Sequence, residues 1–156
     1  MAFLAMDDAQ FWDRCPKELE PLMRSGIGAA YFLLGEQKAN PPTVIALRME
    51  PNFVLPRHAH DCWRFEIVVK GTLDVGERIL KPGDVMLTEP GIAYGPHVAG
   101  AEGCTTFEVF TNYVASHTTL LEDGKGLVAC DITTPAGLER MQDLMLRARQ
   151  ATPSNR

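Results

Sequence analysis

Apolar and polar residues alternate with a period of two through most of the middle of the chain. In residues 43–50, Ile45, Leu47 and Met49 fall on one side and Arg48 and Glu50 on the other, the pattern of a strand with one face in a core. Short runs rich in β-branched and aromatic residues recur at 29–34, 63–69, 72–75, 78–80, 84–88, 104–110 and 113–119. Turn signals separate them: Asn40-Pro41-Pro42, Val75-Gly76, Lys81-Pro82-Gly83, Glu89-Pro90-Gly91 and the stretch from Gly100 to Gly103. Many short strands with this punctuation predict an all-β sandwich or barrel, with its core over about residues 29–120.

The period changes at both ends. Residues 7–14 predict a short N-terminal helix capped by Asp7 or Asp8, with Phe11 and Trp12 as its apolar surface. Thr134-Pro135 reads as a cap followed by proline in the first turn. Leu138, Met141, Leu144 and Met145 then recur at helical spacing, so an amphipathic C-terminal helix is expected over about 135–150. Its stripe suits packing on the barrel or on a partner subunit. Residues 151–156 read as a polar, frayed tail.

With 156 residues and 46% apolar content, the chain is expected to form one domain over 1–156 with a substantial core. The net charge of −5 comes without a basic cluster, so nucleic acid is not an expected partner. No apolar run is long enough to span a bilayer, and the first residues lack the charged start and long apolar middle of a signal peptide; no membrane association and a cytoplasmic location are the expectations. Cys15, Cys62, Cys104 and Cys130 are scattered without a Cys-x-x-Cys pair, which points to reduced thiols. Cys62, two residues after His60, has its simplest reading as a small buried hydrophobe.

The candidate chemistry lies in Pro56-Arg57-His58-Ala59-His60. On an extended segment His58 and His60 point to the same side, and neutral imidazole is a common ligand for Zn, Fe, Ni and Cu. The competing reading makes them loop or hydrogen-bonded core histidines. Arg64 and Glu66 share a side of the following strand. Glu66 then has two readings, a carboxylate ligand beside the histidines or an ion-pair partner for Arg64 inside the barrel. An inward Arg64 offers a planar fork for an acidic small molecule. Trp63 and Phe65 alternate with them and read as an outward face suited to a dimer contact. His117, far from this region, reads as structural or surface.

In residues 40–110 the chain resembles the cupin superfamily of small jelly-roll barrels, whose two motifs surround a metal. Asn52 stands at the first motif's leading Gly, where Asn tolerates a left-handed backbone; His58 and His60 match its His-x-His and Gly71 its closing Gly. Arg64 falls where the motif has its ligand Glu. In the second motif Gly83 and Gly91 match, Glu89 takes the proline position, Tyr94 falls on the ligand His and Val98 on the Asn. His97, three residues beyond Tyr94, is a further imidazole whose side parity does not determine across Gly95-Pro96.

The resemblance implies a single jelly-roll (cupin) β-barrel flanked by the two helices. It also implies a divalent metal, Fe(II) first with Mn, Ni or Zn as alternatives, on His58 and His60 with help from Glu66, His97 or Tyr94. The function expected on this basis is that of a metal-dependent enzyme, first of dioxygenase type with isomerase or lyase chemistry as alternatives. Its substrate would be a small acidic or polar organic molecule, and Tyr94 and Arg64 would act on it. The alternative is a non-catalytic barrel that binds or senses a small molecule, with a vestigial or absent metal site. A homodimer is expected in either case.

Overall fold

The computed structural model describes residues 1–151; of the expected tail, residues 152–156 lie outside the described part. Strands β1 (Ile27–Leu33), β2 (Thr43–Met49), β3 (Val54–Leu55), β4 (His58–Ala59), β5 (Arg64–Asp74), β6 (Ile79–Leu80), β7 (Val85–Thr88), β8 (His97–Phe110), β9 (Thr118–Glu122) and β10 (Leu127–Asp131) are joined by four helices. These are α1 (Ala9–Trp12), α2 (Glu20–Met23), α3 (Tyr113–His117) and α4 (Pro135–Ala151). One sheet runs β1-β2-β8-β5-β6, with β3 on β8 and β7 on β5, and the second runs β10-β9-β4. Every pairing is antiparallel.

Between the sheets lies a core that includes Met49, Phe53, Val68, Leu73, Leu121 and Cys130. The expected alternation in β2 holds, with Ile45 and Met49 buried and Arg48 exposed. The outer face of β1 and β2 is covered by α1, where Phe11 packs on Ala30 and Ala46. The stripe of α4 turns onto the barrel, since Met141, Leu144 and Met145 join the main core. Thr134 Oγ1 accepts the Gly137 amide at 3.1 Å, capping that helix as its sequence suggested.

Three expected elements differ. The two runs at 63–69 and 72–75 are one strand, β5, which passes through Gly71 with irregularities in its pairing to β8. Gly71 has φ +72°, and a Cβ there would run into the Gly103 carbonyl, while a Cβ on Gly100 would run into Thr72, so β5 and β8 approach closely only because Gly71 and Gly100 are glycine. The stretch from Gly100 to Gly103, expected as a turn, lies inside β8: Gly100 lets β8 approach Thr72 of β5, and Gly103, at φ +77°, lets it approach the Met49 carbonyl at the end of β2. Residues 113–119, expected as a strand, are helix α3 followed by the start of β9. Asn112 decides this: its extended backbone and side-chain oxygen, which accepts the Ala115 amide at 2.8 Å, form a helix N-cap that outweighs the β-branched residues after it. β10 was not anticipated. Asn52 has φ +59°, the left-handed conformation that its alignment with a motif glycine required.

Candidate functional site

The first histidine sits on β4, at the edge of the smaller sheet, opposite Leu121 of β9. On its other side the His58 backbone exchanges two hydrogen bonds with Tyr94, at 3.0 and 2.9 Å, and this pairing sets the phenol beside the imidazole, ring centroids 4.5 Å apart. From Tyr94 the chain continues through Gly95 and a cis peptide to Pro96, then enters β8 at His97. The His97 ring lies 5.1 Å from that of His58, and His60 lies 5.7 Å from His58. His58, His60 and His97 are all buried.

Backbone carbonyls fix two of the rings. His58 Nδ1 donates to Pro56 O at 3.0 Å, and His60 Nδ1 donates to Ala115 O, in the newly found α3, at 2.9 Å. A carbonyl only accepts, so the proton of each neutral ring is on Nδ1 and the lone pair on Nε2. Burial is the main reason that all three rings stay uncharged: it lowers His60 to about 4 and His97 to about 3, with the Arg64 charge adding in the same direction. His58 is held well below 6.5 by burial, with His97 and His60 beside it.

Under the histidines lies a buried ion cluster on the two central strands. Glu66 of β5 is paired in register with Glu108 of β8. Arg64 binds both: its Nη2 is 2.8 Å from Glu66 Oε2 and 3.1 Å from Glu108 Oε1, and its Nε donates to Glu108 Oε2 at 3.1 Å. Its guanidinium carbon lies 4.9 Å from the Tyr94 ring centroid and 5.9 Å from that of Phe110. Arg64 is 1% exposed and Glu66 fully buried. Burial by itself would favour loss of the Arg64 charge, but Glu108 and Glu66 outweigh it and hold the group above its ordinary value. Burial likewise raises the Tyr94 phenol. Among the described residues five enclosed side-chain atoms have no hydrogen-bond partner: Arg64 Nη1, Glu66 Oε1, Tyr94 Oη, His97 Nε2 and Glu66 Oε2, the last of which has its ion-pair contact with Arg64.

Beside the cluster is a cavity of about 70 Å³. His58, His60, Glu108, Ser116 and Thr119 line its polar end, and Leu19, Leu22, Ile27, Ile45, Leu55 and Phe110 are among the residues lining the rest.

All six residues singled out in the sequence, His58, His60, Arg64, Glu66, Tyr94 and His97, therefore lie in one neighbourhood. They do not assemble the two-histidine-one-carboxylate metal set. Glu66 is drawn to Arg64, and the guanidinium stands where the cupin motif has its carboxylate. Among the described residues no three His, Cys, Asp or Glu side chains are placed to hold a metal ion. The fork of Arg64, expected to be open to an acid, is occupied by two carboxylates. Glu108 was missed, although it shares the parity of Phe110 along its strand, because only the pairing of β8 with β5 brings it opposite Glu66. Cys62 is a buried thiol beside Ile45 and Phe110. Trp63 and Phe65 face outward. His117 is buried at the end of α3, where its Nδ1 lies 3.0 Å from the Tyr113 carbonyl.

No family model and no curated protein matches the sequence. Solved structures do match the fold. An acetylacetone dioxygenase from Acinetobacter johnsonii superposes with a TM-score of 0.55 at 11% identity, over 95% of this chain and 93% of that one. An RmlC-like cupin protein from Ralstonia eutropha gives 0.53 at 16% identity, over 83% and 80%. A second Ralstonia eutropha protein, described as of unknown function with a cupin-like fold, gives 0.51 at 16%, over 84% of each chain. With two antiparallel sheets around a histidine-lined interior and this agreement across most of its length, the chain has the fold of the cupin superfamily.

Proposed function

We propose that the protein is a small-molecule-binding cupin whose ligand occupies the interior cavity with its polar end at His58, His60 and Glu108. One observation carries this reading: a half-open, mostly aliphatic space is lined also by two uncharged imidazoles, whose lone pairs are on Nε2, and by one carboxylate. Apolar cavities with a few convergent polar groups are the usual form of small-ligand sites. The protein's own groups supply the recognition: Pro56 and Ala115 hold the rings as acceptors, Arg64 holds Glu108 in place, and the leucine and isoleucine wall excludes water. The test is native mass spectrometry of protein purified without affinity metal, followed by a thermal-shift screen of compact organic molecules. A retained or stabilising small molecule, lost on His58→Leu/His60→Leu, is the expected result. A screen without hits, with the parent and the variant equally stable, overturns it.

A second reading, an enzyme of the dioxygenase kind with a divalent metal, has its own observation: the buried His97 Nε2 without a partner, next to His58. An ion there, Fe(II) first with Mn, Ni or Zn behind it, requires His58, His60 and His97 to draw together, with Glu66 left to Arg64. Bound in that way, it would supply open coordination positions for a substrate. Elemental analysis after anaerobic reconstitution, compared with His58→Ala/His60→Ala, decides this: near-stoichiometric metal in the parent alone supports the second reading, and equal trace amounts in both remove it.

A further inference from the structure

The buried ion cluster does not balance. Two carboxylates, Glu66 and Glu108, meet one guanidinium, and Arg64 is the only buried Lys or Arg among the described residues. The three histidines beside it are uncharged, so they add nothing to the positive side. Buried charge is ordinarily paired, and by count the cluster has one carboxylate more than it has cations. The excess has an outlet. Glu108 lines the cavity, whereas no Lys or Arg among the described residues does; at that end the Nε2 atoms of His58 and His60 accept hydrogen bonds, and the hydroxyls of Ser116 and Thr119 carry no charge.

We infer that the cavity takes a small aliphatic amine as its ammonium ion, the N–H groups directed at Glu108 and at the bare Nε2 atoms of His58 and His60. This rests on the reading of the cavity as a ligand site and narrows it to one chemical class. A carboxylic acid of the same shape would add to the negative excess and would meet no cation, since Arg64 does not line the cavity and its Nη2 and Nε are held by Glu66 and Glu108. An alcohol would satisfy one acceptor and leave the charge unbalanced. An ammonium group offers three donors and the missing positive charge, while its alkyl part lies against Leu19, Leu22, Ile27 and Ile45. The size is bounded as well: at about 10–15 Å³ for each water-sized unit, the cavity holds about five non-hydrogen atoms.

Isobutylamine, isobutanol and isobutyrate share one carbon skeleton of suitable size and differ in charge. Each is titrated into the full chain, with chelator present, at pH 8, where an alkylamine is protonated, and binding is read from NMR shifts of the residues lining the cavity. The expected order is amine, alcohol, acid, with the amine at least tenfold tighter than the alcohol. Glu108→Gln leaves Arg64 and Glu66 as a balanced pair and should bring the amine to within about threefold of the alcohol. Glu66→Gln removes the same charge without altering the cavity wall and serves the same purpose if the first variant does not fold. An alcohol or acid that binds as tightly as the amine, or an amine preference untouched in both variants, overturns the amine assignment and leaves the cavity reading standing. No binding of any of the three overturns the cavity reading, and the assignment with it.

Discussion

Replacing Arg64 by methionine removes the only positive member of the buried cluster and keeps most of its volume. In the parent, the guanidinium contacts Glu66 at 2.8 Å and Glu108 at 3.1 Å from a side chain that is 1% exposed. In the variant, two carboxylates paired in register across β5 and β8 face each other with no cation between them. At a cross-strand spacing of about 5 Å and an effective dielectric constant of about 20, their repulsion is about 3 kcal/mol. Measured losses on removing one partner from a buried ion pair are of the same order, about 3–5 kcal/mol. That is a large part of the roughly 5–15 kcal/mol that holds a domain together. The loss also acquires a pH dependence. Repulsion and burial raise the folded-state pKa of the carboxyl pair above the unfolded value of about 4.3. Stability is therefore retained below that value and lost as the pH rises through the raised one, so the deficit of Arg64→Met should be larger at pH 8 than at pH 5. Urea denaturation at both values measures it. The triple variant Arg64→Met/Glu66→Gln/Glu108→Gln, which has no charge left in the cluster, should regain most of the loss. A deficit under about 1 kcal/mol, or one that is the same at both pH values and unrelieved in the triple variant, would refute this account of the cluster.

Gly71→Ala places a methyl group against the Gly103 carbonyl at a positive φ; a loss of about 3–5 kcal/mol or failure to fold is expected in urea melts, as for other strained or overpacked positions. His60 and His97 have folded-state pKa values of about 4 and about 3, below the unfolded value of about 6.5. Each supports full stability above pH 7 and costs about 2 kcal/mol by pH 5, so His97→Gln should flatten the loss between pH 7 and 5 in metal-free protein. Asn112→Ala removes the cap of α3 and should cost about 1 kcal/mol; because the Ala115 carbonyl in that helix receives His60 Nδ1, broadening of the His60 ring resonances should accompany the loss. Phe65 is paired with Leu87 on the outer face of β5 and β7, where Trp63 and Val85 are also exposed; as the contact of a homodimer, this face predicts that Leu87→Glu shifts the sedimentation coefficient to that of a monomer.

The parts of this structure that were legible in the sequence are those set by local chemistry. Alternation in residues 43–49 marked β2, Thr134-Pro135 marked the start of α4, and the spacing of His58 and His60 put both rings on one side, which in the structure is the interior. Asn52 in place of a glycine already implied a left-handed backbone. What stayed hidden depends on partners distant in the chain. Gly100 and Gly103 look like turn residues until β5 and the end of β2 are laid beside them, and the close approach of those strands shows why β8 needs them. The run after Asn112 has strand-forming residues, yet one capping side chain turns it into a helix, and that helix supplies the carbonyl that orients His60. Whether Glu66 serves an ion or an arginine was open in the sequence because the answer lies with Glu108, forty-two residues further on and visible only through the pairing of β5 with β8.

The position of the ion cluster on the two longest strands also bears on how the barrel finds a single arrangement. β5 has 11 residues and β8 has 14, and sliding one past the other by two residues keeps every side chain on its own face. The hydrophobic pattern, which penalises a slip of one, is nearly blind to a slip of two. A slip that carries Arg64 past Phe110 would part it from Glu108 and leave charges buried without partners, a cost that an all-apolar interface would not impose. The cluster thus acts as a one-way check on strand alignment: chains misaligned in that direction are disfavoured by their electrostatics where their hydrophobic pattern would not distinguish them.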